Sequence, residues 1–199
     1  MNDQHIILFL VWLMYCILHS VLASGKVKRW ADKKLGASAK FYRFGYTVFA
    51  FAGLVGILIY QVSITSPLLF SNEFAIQLGG SLLAAIGAAL IMLNILKYFM
   101  QLSGVKWLVS ETVTAKLERG GLHRYVRHPL YLSTFLFIWS LWIVYPYLSL
   151  LIANTVITLY TLIALRFEEQ KLIAEFGTEY ENYRKSVPMI IPSLKSFFK

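Results

Sequence analysis

HIILFLVWLMYCILHSVLAS, residues 5–24, runs for twenty residues without a lysine, arginine, aspartate or glutamate. A hydrocarbon layer of about 30 Å is crossed by roughly 20 apolar residues in a helix, whose backbone polar groups are satisfied internally. The stretch therefore reads as a transmembrane helix, and the rest of the chain has to fit that class. Residues 42–62 and 75–98 qualify by the same measure. The apolar segment from Leu130 to Leu165 is divided by Pro146, between Tyr145 and Tyr147, into two pieces of roughly 16–18 residues, short for full spans. It reads as a helical hairpin. The expected fold is an all-α integral membrane protein with about five transmembrane helices, three full spans plus the hairpin. Residues 1–98 carry the first three helices, and residues 99–199 carry the hairpin and tail within one structural domain. The first stretch lacks a basic segment before it and a convincing small-residue cleavage pattern, so it reads as retained structure, not a signal peptide.

Composition agrees: 58% of the 199 residues are hydrophobic and 15% charged, against about 45–50% and about 25% in soluble domains. The single cysteine, Cys16, excludes an internal disulfide and a thiolate zinc site. The four histidines do not have metal-site spacing. A net charge of +9 would suggest nucleic acid in a soluble protein, but here the basic residues flank apolar runs. Lys26, Lys28, Arg29, Lys33, Lys34 and Lys40 fill the first loop, whereas residues 63–74 contain no lysine or arginine. By the positive-inside rule the first loop is cytosolic, the N-terminus lies outside, and residues 97–129 and the tail lie inside. Gly79, Gly80, Ala84, Ala85, Gly87, Ala88 and Ala89 would let the third helix pack closely, within the monomer or against another chain.

Polar groups beside a span are costly unless they face a cavity or a partner. One cluster is Gly120-Gly121-Leu122-His123-Arg124-Tyr125-Val126-Arg127-His128-Pro129-Leu130-Tyr131. Pro129 suits a first helical turn, so Arg127 and His128 would stand where the hairpin begins. The second cluster is Arg166-Phe167-Glu168-Glu169-Gln170-Lys171-Leu172, in which Arg166 and Glu169 share a helix face. Beyond it Gly177 stops the helix, Thr178-Glu179-Tyr180-Glu181 has capping-box spacing, and Pro188 ends a short amphipathic helix carrying Tyr180, Tyr183 and Arg184.

Plainer readings stand beside these. An Arg-His pair next to a span also serves as a phosphate-contacting anchor, glutamates at a helix end are often merely solvated, and tyrosines populate the interfacial belt. His19-Ser20 reads as a hydrogen-bonded structural pair, and His5 and His123 have no evident partner. The aspartates Asp3 and Asp32 have no neighbours that would make a Ser/His/Asp triad.

Taken in order, Arg127-His128-Pro129-Leu130-Tyr131, the hairpin, Glu168-Glu169-Gln170-Lys171-Leu172, Phe176-Gly177-Thr178-Glu179-Tyr180, Tyr183 and Val187-Pro188 resemble the isoprenylcysteine carboxyl methyltransferase and phospholipid methyltransferase superfamily. The pattern is RHPxY, a hairpin, EExxL, FGxEYxxY and VP, over about residues 97–192. Leu18-His19-Ser20-Val21-Leu22-Ala23-Ser24 with Lys28-Arg29-Trp30 adds a shorter likeness to the bacterial methanethiol S-methyltransferase branch. The resemblance implies S-adenosylmethionine in a cytosolic C-terminal pocket, touched by Leu122, Tyr125, Val126, His128, Tyr131, Glu168, Glu169 and Tyr183. It implies Arg127 and Arg166 as catalytic residues near the substrate, no metal, and an acceptor entering from the bilayer.

A sulfonium donor is already activated, so the protein's task is alignment and exclusion of water. The acceptor is a small or lipophilic thiol or carboxylate. A carboxylate is ionised near neutrality, whereas a thiol benefits from a cation or a base, for which His19 and His128 are the candidates. Membrane lipids are the other expected partners, and nucleic acid is not. An NADPH-dependent membrane reductase of related fold and a non-catalytic scaffold are the alternatives. The sequence is silent on oligomeric state.

Overall fold

The computed structural model describes residues 3–102 and 117–193. Among them seven α-helices follow in order: α1 Asp3–Ala23, α2 Gly25–Leu35, α3 Ala39–Ser63, α4 Phe74–Leu102, α5 Pro129–Val144, α6 Leu148–Phe176 and α7 Thr178–Ser186. Four are long and apolar enough to cross a membrane: α1, residues 44–63 of α3, residues 74–97 of α4, and α6. The large apolar side chains on them face outward, as with Val62 at 82% and Phe51 at 68% exposure. Such a surface needs lipid around it, and the chain is an integral membrane protein.

Two expectations change. The first arm of the hairpin, α5, has the 16 residues foreseen, but the second, α6, runs unbroken for 29. Hydropathy falls at Arg166, yet Glu168, Glu169, Gln170, Lys171 and Leu172 are good helix formers, and nothing before Gly177 breaks the helix. The first loop is also more ordered than its charge suggests. Ser24 Oγ accepts from the Val27 amide at 3.3 Å and so caps α2, and Gly36 closes it at φ 52°.

The described residues form two compact units. The first comprises residues 3–71, 95–102 and 145–157. Here α1 and α3 run antiparallel, registered by Tyr15 on the Ala50 carbonyl (3.0 Å), Tyr42 on the Leu22 carbonyl (2.8 Å) and Trp12 Nε1 on Gln61 Oε1 (2.9 Å). Polar groups at membrane depth find partners inside the protein, as that medium demands. The Pro146 turn is held by Leu69 N–H on the Pro146 carbonyl (2.9 Å) and Leu148 N–H on the Pro67 carbonyl (3.0 Å). Ser66 Oγ accepts from the Ser149 amide at 2.9 Å and lies 3.2 Å from His5 Nε2, which gives His5 the partner the sequence did not show.

The second unit comprises residues 72–94, 117–144 and 158–193. Gly80, Ala84 and Gly87 lie on one buried stripe of α4. A Cβ on Gly87 would come within 2.7 Å of the Phe137 backbone nitrogen in α5. The small residues thus let two backbones touch within the chain. Gly87→Ala is expected to force α4 and α5 apart and cost about 1–3 kcal/mol. Denaturation in mixed micelles would check this, with Gly79→Ala, which has open space around its Cβ position, as control.

Candidate functional site

The second unit brings the two polar clusters together. Gly120 leads into the 3₁₀ turn Gly121–Arg124, with Gly121 at φ 57°, a left-handed conformation that side chains disfavour. The Leu122 carbonyl accepts from the amides of Tyr125 (3.0 Å) and Val126 (3.2 Å), which curls the segment back on itself. The chain after α7 then pins its end: Arg127 N–H donates to the Pro188 carbonyl at 2.9 Å and His128 N–H to the Met189 carbonyl at 3.1 Å. Pro129 opens α5, as expected.

Glu169 is the centre. Its Oε1 accepts from Arg127 Nε (3.0 Å), His128 Nε2 (2.8 Å) and the Tyr180 hydroxyl (2.5 Å), and its Oε2 from Arg127 Nη2 (2.9 Å). A carboxylate has about four acceptor positions, so this one is full. Arg127 is equally committed, because its Nη1 donates to the carbonyls of Arg184 (3.0 Å) and Val187 (2.7 Å). The side chains of the ion pair are only 9% and 10% exposed. Burial, reinforced by the bond to Glu169, raises the Tyr180 hydroxyl well above the usual tyrosine range, so it stays a donor.

Because the Glu169 carboxylate only accepts, the neutral His128 ring carries its proton on Nε2 and leaves a lone pair on Nδ1. That nitrogen lies 4.0 Å from Glu168 Oε2, and the Tyr131 hydroxyl donates to the same oxygen at 3.0 Å. Glu168 is the open carboxylate of the two, its side chain 41% exposed. Tyr183 donates to the His123 carbonyl at 2.6 Å, and His123 Nδ1 lies 3.0 Å from the Arg127 carbonyl, so His123 has partners after all.

Of the expected residues, Leu122, Tyr125, Val126, Arg127, His128, Tyr131, Glu168, Glu169 and Tyr183 belong to this turn and its supports. Arg166 is exposed, one turn before Glu169, and is not hydrogen-bonded within the cluster. Tyr180 was read only as a belt aromatic, and it is buried at the centre. Thr178 forms no capping box: Gly177, at φ 55°, is itself the cap of α7, and Thr178 already lies inside the helix. A single residue between α6 and α7 leaves no room for a side-chain cap.

Within the first unit, a cavity of about 180 Å³ lies between α1 and α3, walled by Met14, Tyr15, Leu18 and Phe49 among others, with His19 and Tyr46 as its polar end. The Tyr46 hydroxyl lies 3.0 Å from His19 Nδ1.

A profile of the phospholipid methyltransferase family matches residues 78–179, just over half of the chain. The chain belongs to the phospholipid methyltransferase family. The match reaches from α4 into α7 and contains the Arg127, His128, Glu168 and Glu169 group. A methanethiol S-methyltransferase of Crocosphaera subtropica is 28% identical over 198 residues, spanning 90% of this chain and 71% of that protein. Methanethiol S-methyltransferase 2 of Bradyrhizobium diazoefficiens is 46% identical over 74 residues, 37% of this chain and 27% of its own. Protein-S-isoprenylcysteine O-methyltransferase of Schizosaccharomyces pombe is 40% identical over 84 residues, 38% and 33% of the two chains. No solved structure matches this family member. Family and relatives together support a membrane methyltransferase.

Proposed function

We propose that this protein transfers a methyl group from S-adenosylmethionine to a small, uncharged thiol at the cytosolic end of its helices. The observation that carries the choice of acceptor is the saturation of Arg127. Its guanidinium donates to Glu169 through Nε and Nη2 and to two backbone carbonyls through Nη1, so it is already spent as a clamp for a substrate carboxylate.

The residues present fit the donor. When bound, S-adenosylmethionine supplies a methyl group on a sulfonium, an electrophile that needs no acid. Glu168, open and steadied by Tyr131, is the carboxylate suited to the donor's cationic groups, and the backbone of Leu122, Tyr125 and Val126 would form a wall beside it. Glu169 works inward, holding His128 and Arg127. His128 Nδ1 takes the thiol proton, which raises the fraction of thiolate above that of a free thiol with pKa about 8.5. An ionised Glu168 also disfavours a second anion nearby. The names of the relatives from Crocosphaera subtropica and Bradyrhizobium diazoefficiens point the same way.

A carboxylate acceptor is the second reading, favoured by the similarity to the Schizosaccharomyces pombe relative and by Arg166, the exposed arginine beside this group. The distribution of lysine and arginine supports a cytosolic site and an N-terminus outside.

Calorimetry with S-adenosylmethionine on the detergent-solubilised protein tests the donor. Glu168→Gln is expected to weaken binding about tenfold or more, the usual scale for losing a charge-assisted bond. Turnover with alkylthiols, set against short-chain carboxylates, then tests the acceptor. Folded wild-type protein that fails to bind the donor would overturn the reading.

A further inference from the structure

The helix α2 presents a cationic face that the proposed reaction does not use. Lys26, Arg29 and Lys33 recur at three- and four-residue spacing, and all three are exposed, with Trp30 beside them at 58% exposure. The other side of the helix turns inward, Ala31 being fully buried and Val27 half-buried. Five basic residues stand against one acidic residue, Asp32, along its eleven positions.

The placement of this helix is fixed by its neighbours. Ser24 alone separates it from the apolar α1, and the 3₁₀ turn Gly36–Ser38 leads straight into α3. A helix tied at both ends to membrane spans lies in the headgroup layer, a zone only about 5–8 Å deep on each side of the hydrocarbon. We infer that the Lys26, Arg29 and Lys33 face is a binding surface for anionic phospholipid headgroups, with Trp30 seated among them at the interface. Charge complementarity selects the partner: cations near a membrane surface attract anionic lipid, and indole rings settle at headgroup depth. The protein would thereby gather a shell of anionic lipid in a mixed bilayer.

The test uses the full protein reconstituted into phosphatidylcholine vesicles that contain a minority of phosphatidylglycerol. Spin-labelled phosphatidylglycerol is expected to associate in preference to spin-labelled phosphatidylcholine, and the preference should shrink in high salt. The variant Lys26→Gln/Arg29→Gln/Lys33→Gln should lose the preference by roughly fivefold or more. The variant Lys171→Gln/Lys185→Gln, which removes exposed cations elsewhere, should retain it. Brominated phosphatidylglycerol should quench the part of the fluorescence that Trp30→Phe removes, more than brominated phosphatidylcholine does. An unchanged preference in the triple variant, an equal loss in the control, or no selective quenching of Trp30 would overturn the inference. Because none of these readouts involves methyl transfer, failure of the proposed function would leave them standing.

Discussion

Glu169→Ala should be the most damaging single substitution in the second unit, destabilising it by about 3–5 kcal/mol, the scale found when one partner of a buried ion pair is removed. The reason is the four bonds this carboxylate accepts. Without it, a guanidinium that is 9% exposed loses its counter-charge, and the buried His128 ring and Tyr180 hydroxyl lose their acceptor. Glu169→Gln keeps the volume and one acceptor oxygen but adds donors facing Arg127 and Tyr180, so it should fall between wild type and alanine. Unfolding in mixed micelles checks the order. Tyr180→Phe separates the terms, since it deletes one bond and leaves the ion pair whole. A Glu169→Ala protein as stable as wild type would show that the carboxylate is not the keystone of this packing.

His128→Ala should act on rate more than on stability. Glu169 keeps Arg127 and Tyr180 as partners in that variant, so the ion pair survives. Methyl transfer to a thiol should drop by about 10²–10⁴, the usual worth of a positioned general base. The remaining activity should climb with pH as the free thiol, with pKa about 8.5, ionises by itself. Wild type should show a flatter rise, because His128 already accepts the proton near neutrality. The measurement is kcat against pH for both proteins with one alkylthiol at saturating donor. Equal pH profiles would remove His128 from proton transfer and leave it as a positioning residue for the donor.

Much of this was legible in the chain because membrane burial writes itself into composition. The apolar runs, Pro146 at the hairpin turn, Pro129 at the start of α5 and Gly177 at the end of α6 each follow from one local rule, and each falls where that rule places it. Helix α2 was hidden because dense positive charge reads as solvated loop, although Ser24 carried the capping signal. The length of α6 was hidden because hydropathy reports where lipid ends, not where a helix does. In the site, the clustering of Arg127, His128 and Glu169 was visible as motif, but their bonding was not. Arg127 spends two of its donor contacts on backbone carbonyls at 184 and 187, which have no side-chain signature. Tyr180 reaches Glu169 only because Gly177 turns the chain between them.

The carbonyls of Arg184, Val187, Pro188 and Met189 that hold Arg127 and His128 also bear on how the protein is made. Chains emerge from the ribosome N-terminus first. The long apolar helices can therefore enter the bilayer while the arginine still lacks its last acceptors, and the site closes only after residue 189 has been added. A ribosome-stalled intermediate ending before Val187 should thus be fully inserted yet inactive, which makes insertion and catalytic competence two separate events in the life of the chain.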